Sequence, residues 1–166
     1  MQHLGEQQDY QKDMLTEEEK RQIREELENC ASGRAACVEA LKIVQRRRGW
    51  VSEELVEIAE LLEMTPDELD SIATFYSLIY RKPVGKHVIL VCDSVSCWIT
   101  GYESVKVCLA EILGILPGET TEDGKFTLLP IACLGACDQG PAIMVDGALY
   151  TDLDREKIEA VIGKYR

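Results

Sequence analysis

His87-Val88-Ile89-Leu90-Val91, followed at once by Cys92-Asp93-Ser94-Val95-Ser96-Cys97, is the stretch that decides the architecture of this chain. The first five residues are a continuous apolar run of strand length, the pattern of a buried strand. A cysteine pair begins where that run ends. Downstream, Val105, Cys108, Leu109, Ile112 and Leu113 recur at helical spacing, and Gly114 closes that helix. Phe126 to Ile131 reads as a second strand, and a second cysteine pair, Cys133-Leu134-Gly135-Ala136-Cys137, comes just after it. Ala142-Ile143-Met144-Val145 and Ala148-Leu149-Tyr150 flank Asp146-Gly147, a strong two-residue hairpin signal. A helix from Asp154 to Ile162 ends the chain.

The order over residues 85–166 is β-α-β-β-β-α, that of a compact thioredoxin-like α/β domain. Upstream of Lys82-Pro83-Val84-Gly85 the pattern is different. Residues 1–15 read as a polar, flexible start, and residues 16–80 as an all-helical bundle. Thr16 with Glu19 forms a capping box ahead of a charged helix to Asn29. A second helix covers Arg34 to Arg48, and a third starts after Ser52 with Leu55, Ile58, Ala59 and Leu62 on one face. Thr65-Pro66-Asp67-Glu68 opens a fourth, with Leu69, Ile72, Ala73 and Tyr76 as its apolar stripe. The aromatic end of that helix, Phe75-Tyr76, reads as core. The fold class is therefore α+β: a helical bundle followed by the α/β domain.

The charge is -12, from 18 Lys and Arg against 30 Asp and Glu. An acidic surface repels phosphate backbones and anionic lipid, so nucleic acid and membrane surfaces are not expected as partners. Arg46-Arg47-Arg48 followed by Gly49 fits a helix C-terminus, where cations meet the dipole, better than a nucleic-acid patch. No run reaches the roughly 20 apolar residues that a membrane helix needs. The segment Met1 to Lys20 is polar and acidic without the apolar core of a secretion signal. Export and disulfides are not expected, and paired cysteines then read as metal or redox sites.

If the two strands are parallel neighbours joined by the helix over 102–113, their C-terminal ends share one sheet edge. Both cysteine pairs emerge there, and four thiolates can converge. The intervals are C-x4-C and C-x3-C. Zinc sites mostly use tighter C-x2-C knuckles, whereas a two-iron cluster is wider and each iron takes two cysteines. The loops favour a [2Fe–2S] cluster, with a zinc-stabilised interaction module as the alternative. Backbone N–H groups of Ser94, Val95, Ser96, Gly135 and Ala136 are candidates to bond the sulfurs and tune a low potential. No C-x-x-C dithiol is present, which counts against disulfide exchange. Cys108 reads as helix core, and Cys30 and Cys37 have no ligand partners nearby in sequence.

Cys92–Cys97 with Trp98-Ile99-Thr100-Gly101, the stretch Pro117 to Leu128, Cys133–Cys137 and Tyr150-Thr151-Asp152-Leu153 resemble the thioredoxin-like [2Fe–2S] subunit of respiratory complex I, NADH:quinone oxidoreductase. The bacterial form, often called the E subunit, is the nearest in pattern. Ala40-Leu41, Gln45, Gly49-Trp50 and Ala73-Thr74-Phe75-Tyr76-Ser77 extend the resemblance over residues 17–160. The chain departs from the family at Gly140, Ala132 and Asp146, where Ala, Glu and Asn are usual. None of these is a candidate ligand.

The resemblance implies an electron-transfer subunit of an oxidoreductase complex, with Cys92, Cys97, Cys133 and Cys137 holding one [2Fe–2S] cluster. It implies partners too: a flavoprotein subunit that binds FMN and NADH, and the larger iron–sulfur subunit of the peripheral arm. That arm lies on the cytoplasmic side of the bacterial inner membrane. The cluster would exchange single electrons with the flavin, and the isolated chain would catalyse nothing. The helical half would supply docking surface. The equivalent diaphorase subunit of an NAD-linked hydrogenase or formate dehydrogenase fits the same residues.

Overall fold

Thr16 caps the first helix as its sequence requires. Its hydroxyl accepts from the Glu19 backbone N–H (3.2 Å), and the Glu19 carboxylate accepts from the Thr16 N–H (2.8 Å). The computed structural model describes residues 15–52 and 54–166. The expected flexible start, 1–15, lies outside the described residues except for Leu15, which is buried. The chain divides into two units between Pro83 and Val84.

The first unit contains α1 (Glu17–Asn29), α2 (Gly33–Arg48), α3 (Leu55–Leu61) and α4 (Pro66–Phe75). Its core gathers Ile23, Leu41, Val44, Ile58, Leu62 and Leu69, the apolar stripes of all four helices. Gly49 ends α2 in the left-handed conformation (φ 84°), and Thr65 with Glu68 forms the second capping box. Each arginine of the 46–48 run is occupied by a carboxylate: Arg46 by Glu39, Arg47 by Glu19 and Arg48 by Glu54. That pairing agrees with the reading of these cations as structural.

Phe75-Tyr76 corrects the sequence reading. Phe75 is 82% exposed and Tyr76 is 45% exposed, their rings meeting edge to face. The stripe of α4 buries Leu69 and Ala73, and Phe75 lies two residues beyond Ala73, off that face. The chain leaves the helix at Tyr76, whose backbone is extended (ψ 106°), so the apolar spacing does not carry through.

The second unit holds β1 (His87–Cys92), α5 (Val95–Thr100), α6 (Tyr102–Leu113), β2 (Phe126–Ile131), β3 (Ile143–Val145), β4 (Ala148–Tyr150) and α7 (Arg155–Gly163). The sheet order is β2-β1-β3-β4. β1 pairs parallel with β2, Cys92 opposite Ile131, and antiparallel with β3. Pro130 is accommodated because β2 is an edge strand. Ile89, Leu128 and Ile143 pack with Leu109, Ile158 and Ile162 of α6 and α7. Asp146 (φ 48°) and Gly147 (φ 86°) form the hairpin, both left-handed as that turn demands. The β-α-β-β-β-α order holds, with one addition: α5, which begins between the first two cysteines and carries Cys97.

Two predictions concern the helical unit. A methyl at Gly33 would lie 1.9 Å from the Leu62 carbonyl oxygen, a backbone atom that cannot step aside. Gly33→Ala is expected to cost about 1–3 kcal/mol, read as a lower midpoint in thermal unfolding followed by circular dichroism. Burial works to raise the Glu19 pKa, but the Arg47 guanidinium and the Thr16 N–H and hydroxyl outweigh it and hold the carboxyl below its ordinary 4.5. The stabilisation is therefore complete above pH 4.5 and is lost as the pH falls through the lower, folded value. Glu19→Gln is expected to cost about 1–3 kcal/mol at pH 7. Denaturant titrations across pH should show that difference shrinking in acid.

Candidate metal centre

β1 and β2 end side by side, and their register continues past the strands: the Asp93 N–H donates to the Ile131 carbonyl (3.0 Å). β3 runs the other way, so its N-terminal approach reaches the same edge. There the Cys92 N–H donates to the Ala142 carbonyl (3.1 Å). Three chain segments thus meet at one edge: 92–97, 133–137 and 140–142.

Cys92 and Cys97 are buried, 3% and 1% exposed, in a small apolar cluster with Ala142, Leu134 and Ala136. Cys133 and Cys137 are exposed, with their sulfurs 3.7 Å apart. The expected N–H bond to sulfur is present at Gly135, which donates to Cys133 Sγ (3.3 Å). The two pairs also touch each other's loops. The Leu134 N–H lies close enough to lower the Cys92 thiol, and the Ser96 hydroxyl acts on Cys137 in the same sense. All four sequence-selected cysteines are therefore brought to one edge. Cys108 packs in the core of its unit, and Cys30 and Cys37 lie in the helical unit.

The sulfurs sit in contrasting surroundings. Burial works to raise the Cys92 thiol, but the Ser94 hydroxyl and the Ser94 and Leu134 N–H groups outweigh it and hold the thiol below its ordinary value. Burial and the neighbouring Cys92 push Cys97 up, against the Ala142 N–H. The Cys133 sulfur beside it pushes Cys137 up. Ser94 serves as the N-cap position of α5 yet makes no side-chain cap bond; its Oγ lies 3.5 Å from Cys92 Sγ instead. Sequence reasoning missed the two serine hydroxyls, since it considered only their backbone groups. Two serines among the four residues between Cys92 and Cys97 were the available signal.

The donor set fits an iron–sulfur group. Four thiols stand as two pairs, as a two-iron cluster takes them, and N–H and O–H donors face the sulfurs.

Such a sheet with cysteine pairs at its edge defines a thioredoxin-like [2Fe–2S] ferredoxin, and the chain belongs to that family, whose model matches residues 23–166. Among its relatives are proteins named as the E subunit of NADH-quinone oxidoreductase. The one from Buchnera aphidicola subsp. Acyrthosiphon pisum is 46% identical, covering 92% of this chain and 94% of its own. The one from Escherichia coli K12 is 45% identical, covering 92% of each. The homologues are thus subunits of an oxidoreductase complex. A crystal structure of an NAD+-reducing [NiFe]-hydrogenase in the air-oxidized state matches 78% of this chain with 28% identity and a TM-score of 0.66. This chain spans only 22% of the hydrogenase chain it matches.

The contrast in exposure has a direct consequence. In cluster-free chain under reducing conditions, the exposed Cys133 should alkylate at least about tenfold faster than Cys97, which is buried and whose thiol is pushed up. Timed alkylation with peptide mass mapping measures this, and equal rates would contradict the buried placement of Cys97.

Proposed function

We propose that the chain is the electron-transferring E subunit of an NADH:quinone oxidoreductase, with Cys92, Cys97, Cys133 and Cys137 holding one [2Fe–2S] cluster. The observation that carries the reading is the parallel β1–β2 pairing, which brings two cysteine loops to one edge. When bound, the cluster supplies a site that takes up and returns one electron without bond-making chemistry. The chain's residues bind it and set its surroundings. The buried Cys92 and Cys97 and the exposed Cys133 and Cys137 would hold it. Ser94, Leu134, Gly135 and Ala142 direct O–H or N–H groups at the sulfurs, favouring the reduced, more negative form.

On this reading the single-electron partner is FMN on the NADH-binding flavoprotein subunit, and the larger iron–sulfur subunit is a further neighbour. The helical unit supplies docking surface, and the place of work is the cytoplasmic-side peripheral arm of a complex in the bacterial inner membrane. Among the described residues no helix is long and apolar enough to cross a membrane. A second reading, the diaphorase portion of an NAD-linked hydrogenase, is favoured by the hydrogenase fold match. The NADH-quinone oxidoreductase relatives support the first reading more strongly, through higher identity and nearly full mutual coverage.

Anaerobically purified chain should be brown, contain iron and acid-labile sulfide in equal amounts, and give an EPR signal once reduced. Cys92→Ser and Cys133→Ser should each lose most of the iron. A colourless protein holding zinc would overturn the cluster. The subunits that co-purify in the source organism separate the two complexes, quinone-reductase subunits against hydrogenase subunits.

A further inference from the structure

Helix α5 turns an unusual face outward. Val95, Trp98 and Ile99 fall at i, i+3 and i+4, so they share one side of the helix, while Cys97 lies on the other. The three are 71%, 61% and 76% exposed, and Cys97 is 1% exposed. A helix between core and water ordinarily places polar residues on its outer face. Here the outer face is apolar, on the side of the helix opposite the buried Cys97.

The sequence that builds this edge is acidic. No Lys or Arg occurs between Lys86 and Lys106 or between Lys125 and Arg155, the two stretches that build this edge. Asp93 and Asp138 are exposed, each directly beside a cysteine. Lys157 comes to the flank, where its Nζ donates to the Asp152 carbonyl (2.7 Å). The edge is therefore an apolar centre flanked by carboxylates.

We propose that Val95, Trp98 and Ile99 form the docking face for the electron-exchanging partner, a protein whose complementary surface is apolar at its centre and carries Lys or Arg at its rim. The proposal rests on the function proposed above and assigns the surface through which that partner is met. An apolar centre anchored by an aromatic supplies the affinity of such contacts. Opposite charges at the rim supply orientation and a fast encounter, at the expense of sensitivity to salt. Docking on α5 brings the partner over the cysteine pair rather than over the far end of the sheet, which shortens the path for an electron.

The test uses full-length chain carrying Trp98→Ser with Ile99→Ser, and separately Asp93→Lys with Asp138→Lys. Binding to the purified NADH-binding flavoprotein subunit of the same organism is measured by calorimetry at low and high salt. Visible absorbance and the EPR signal of each variant report the cluster, and circular dichroism reports the fold. The apolar double variant should bind at least about tenfold more weakly with its cluster spectrum unchanged. The charge-reversed variant should bind more weakly at low salt and lose the wild-type salt dependence. Wild-type binding together with unaltered binding by both variants would overturn the docking face while leaving the proposed function standing. Absence of binding by the wild-type chain would overturn the proposed function and, with it, this surface.

Discussion

The parallel pairing of β1 with β2 is the constraint on which the rest of the second unit depends. Two parallel strands must be joined by a crossover, and α6 provides it, burying Val105, Cys108 and Leu109 beneath the sheet. Because the strands run the same way, both end at the same edge, and Cys92 and Cys133 leave from adjacent places. An antiparallel pairing of the same two strands would send the cysteine pairs to opposite ends of the domain. The interaction that creates a site is thus a ladder of backbone hydrogen bonds between apolar strands, to which Cys92 lends its backbone and no cysteine its side chain.

The third segment at that edge explains how a buried pair of thiols can be tolerated. Burying a polar group is costly unless it finds partners. Cys92 and Cys97 are enclosed by Ala142, Leu134 and Ala136, yet N–H groups of Leu134 and Ala142 and the Ser94 hydroxyl are aimed at them. The approach of residues 140–142 is close: a side chain added at Gly140 would meet Thr100 Oγ1 at 2.7 Å and Cys97 Sγ at 3.3 Å. An alanine at this position would therefore require Thr100 to shift. The helical unit uses a parallel device, placing Glu19 in its core only with Arg47 and Thr16 to receive it. Gln45 does the same for a chain turn, donating to the Leu78 carbonyl and accepting from the Tyr80 N–H.

Much of this was legible one residue at a time. The two capping boxes, the left-handed Gly49, the Asp146-Gly147 turn and the apolar run of β1 depend on chemistry within a few residues, and each appears where the pattern places it. The cysteine spacing likewise marked all four residues that meet at the edge. Phe75 and α5 were misread for related reasons. Apolar spacing says which residues share a helix face only while the helix lasts, and α4 stops at Phe75. The Cys92–Cys97 interval is too short to show a helical period, so its interior looked like a plain loop.

By itself, then, the sequence determined the elements, their order, the cysteine pairs and the likeness to a ferredoxin family, because those properties are written in local spacing and composition. Only the tertiary structure decided which pair is buried and which faces solvent. It also decided that a third segment, residues 140–142, arrives at the cysteine edge, and that Val95, Trp98 and Ile99 are exposed. Those outcomes depend on strand register and on which segments arrive at an edge, and no residue's own neighbours in the chain carry that information.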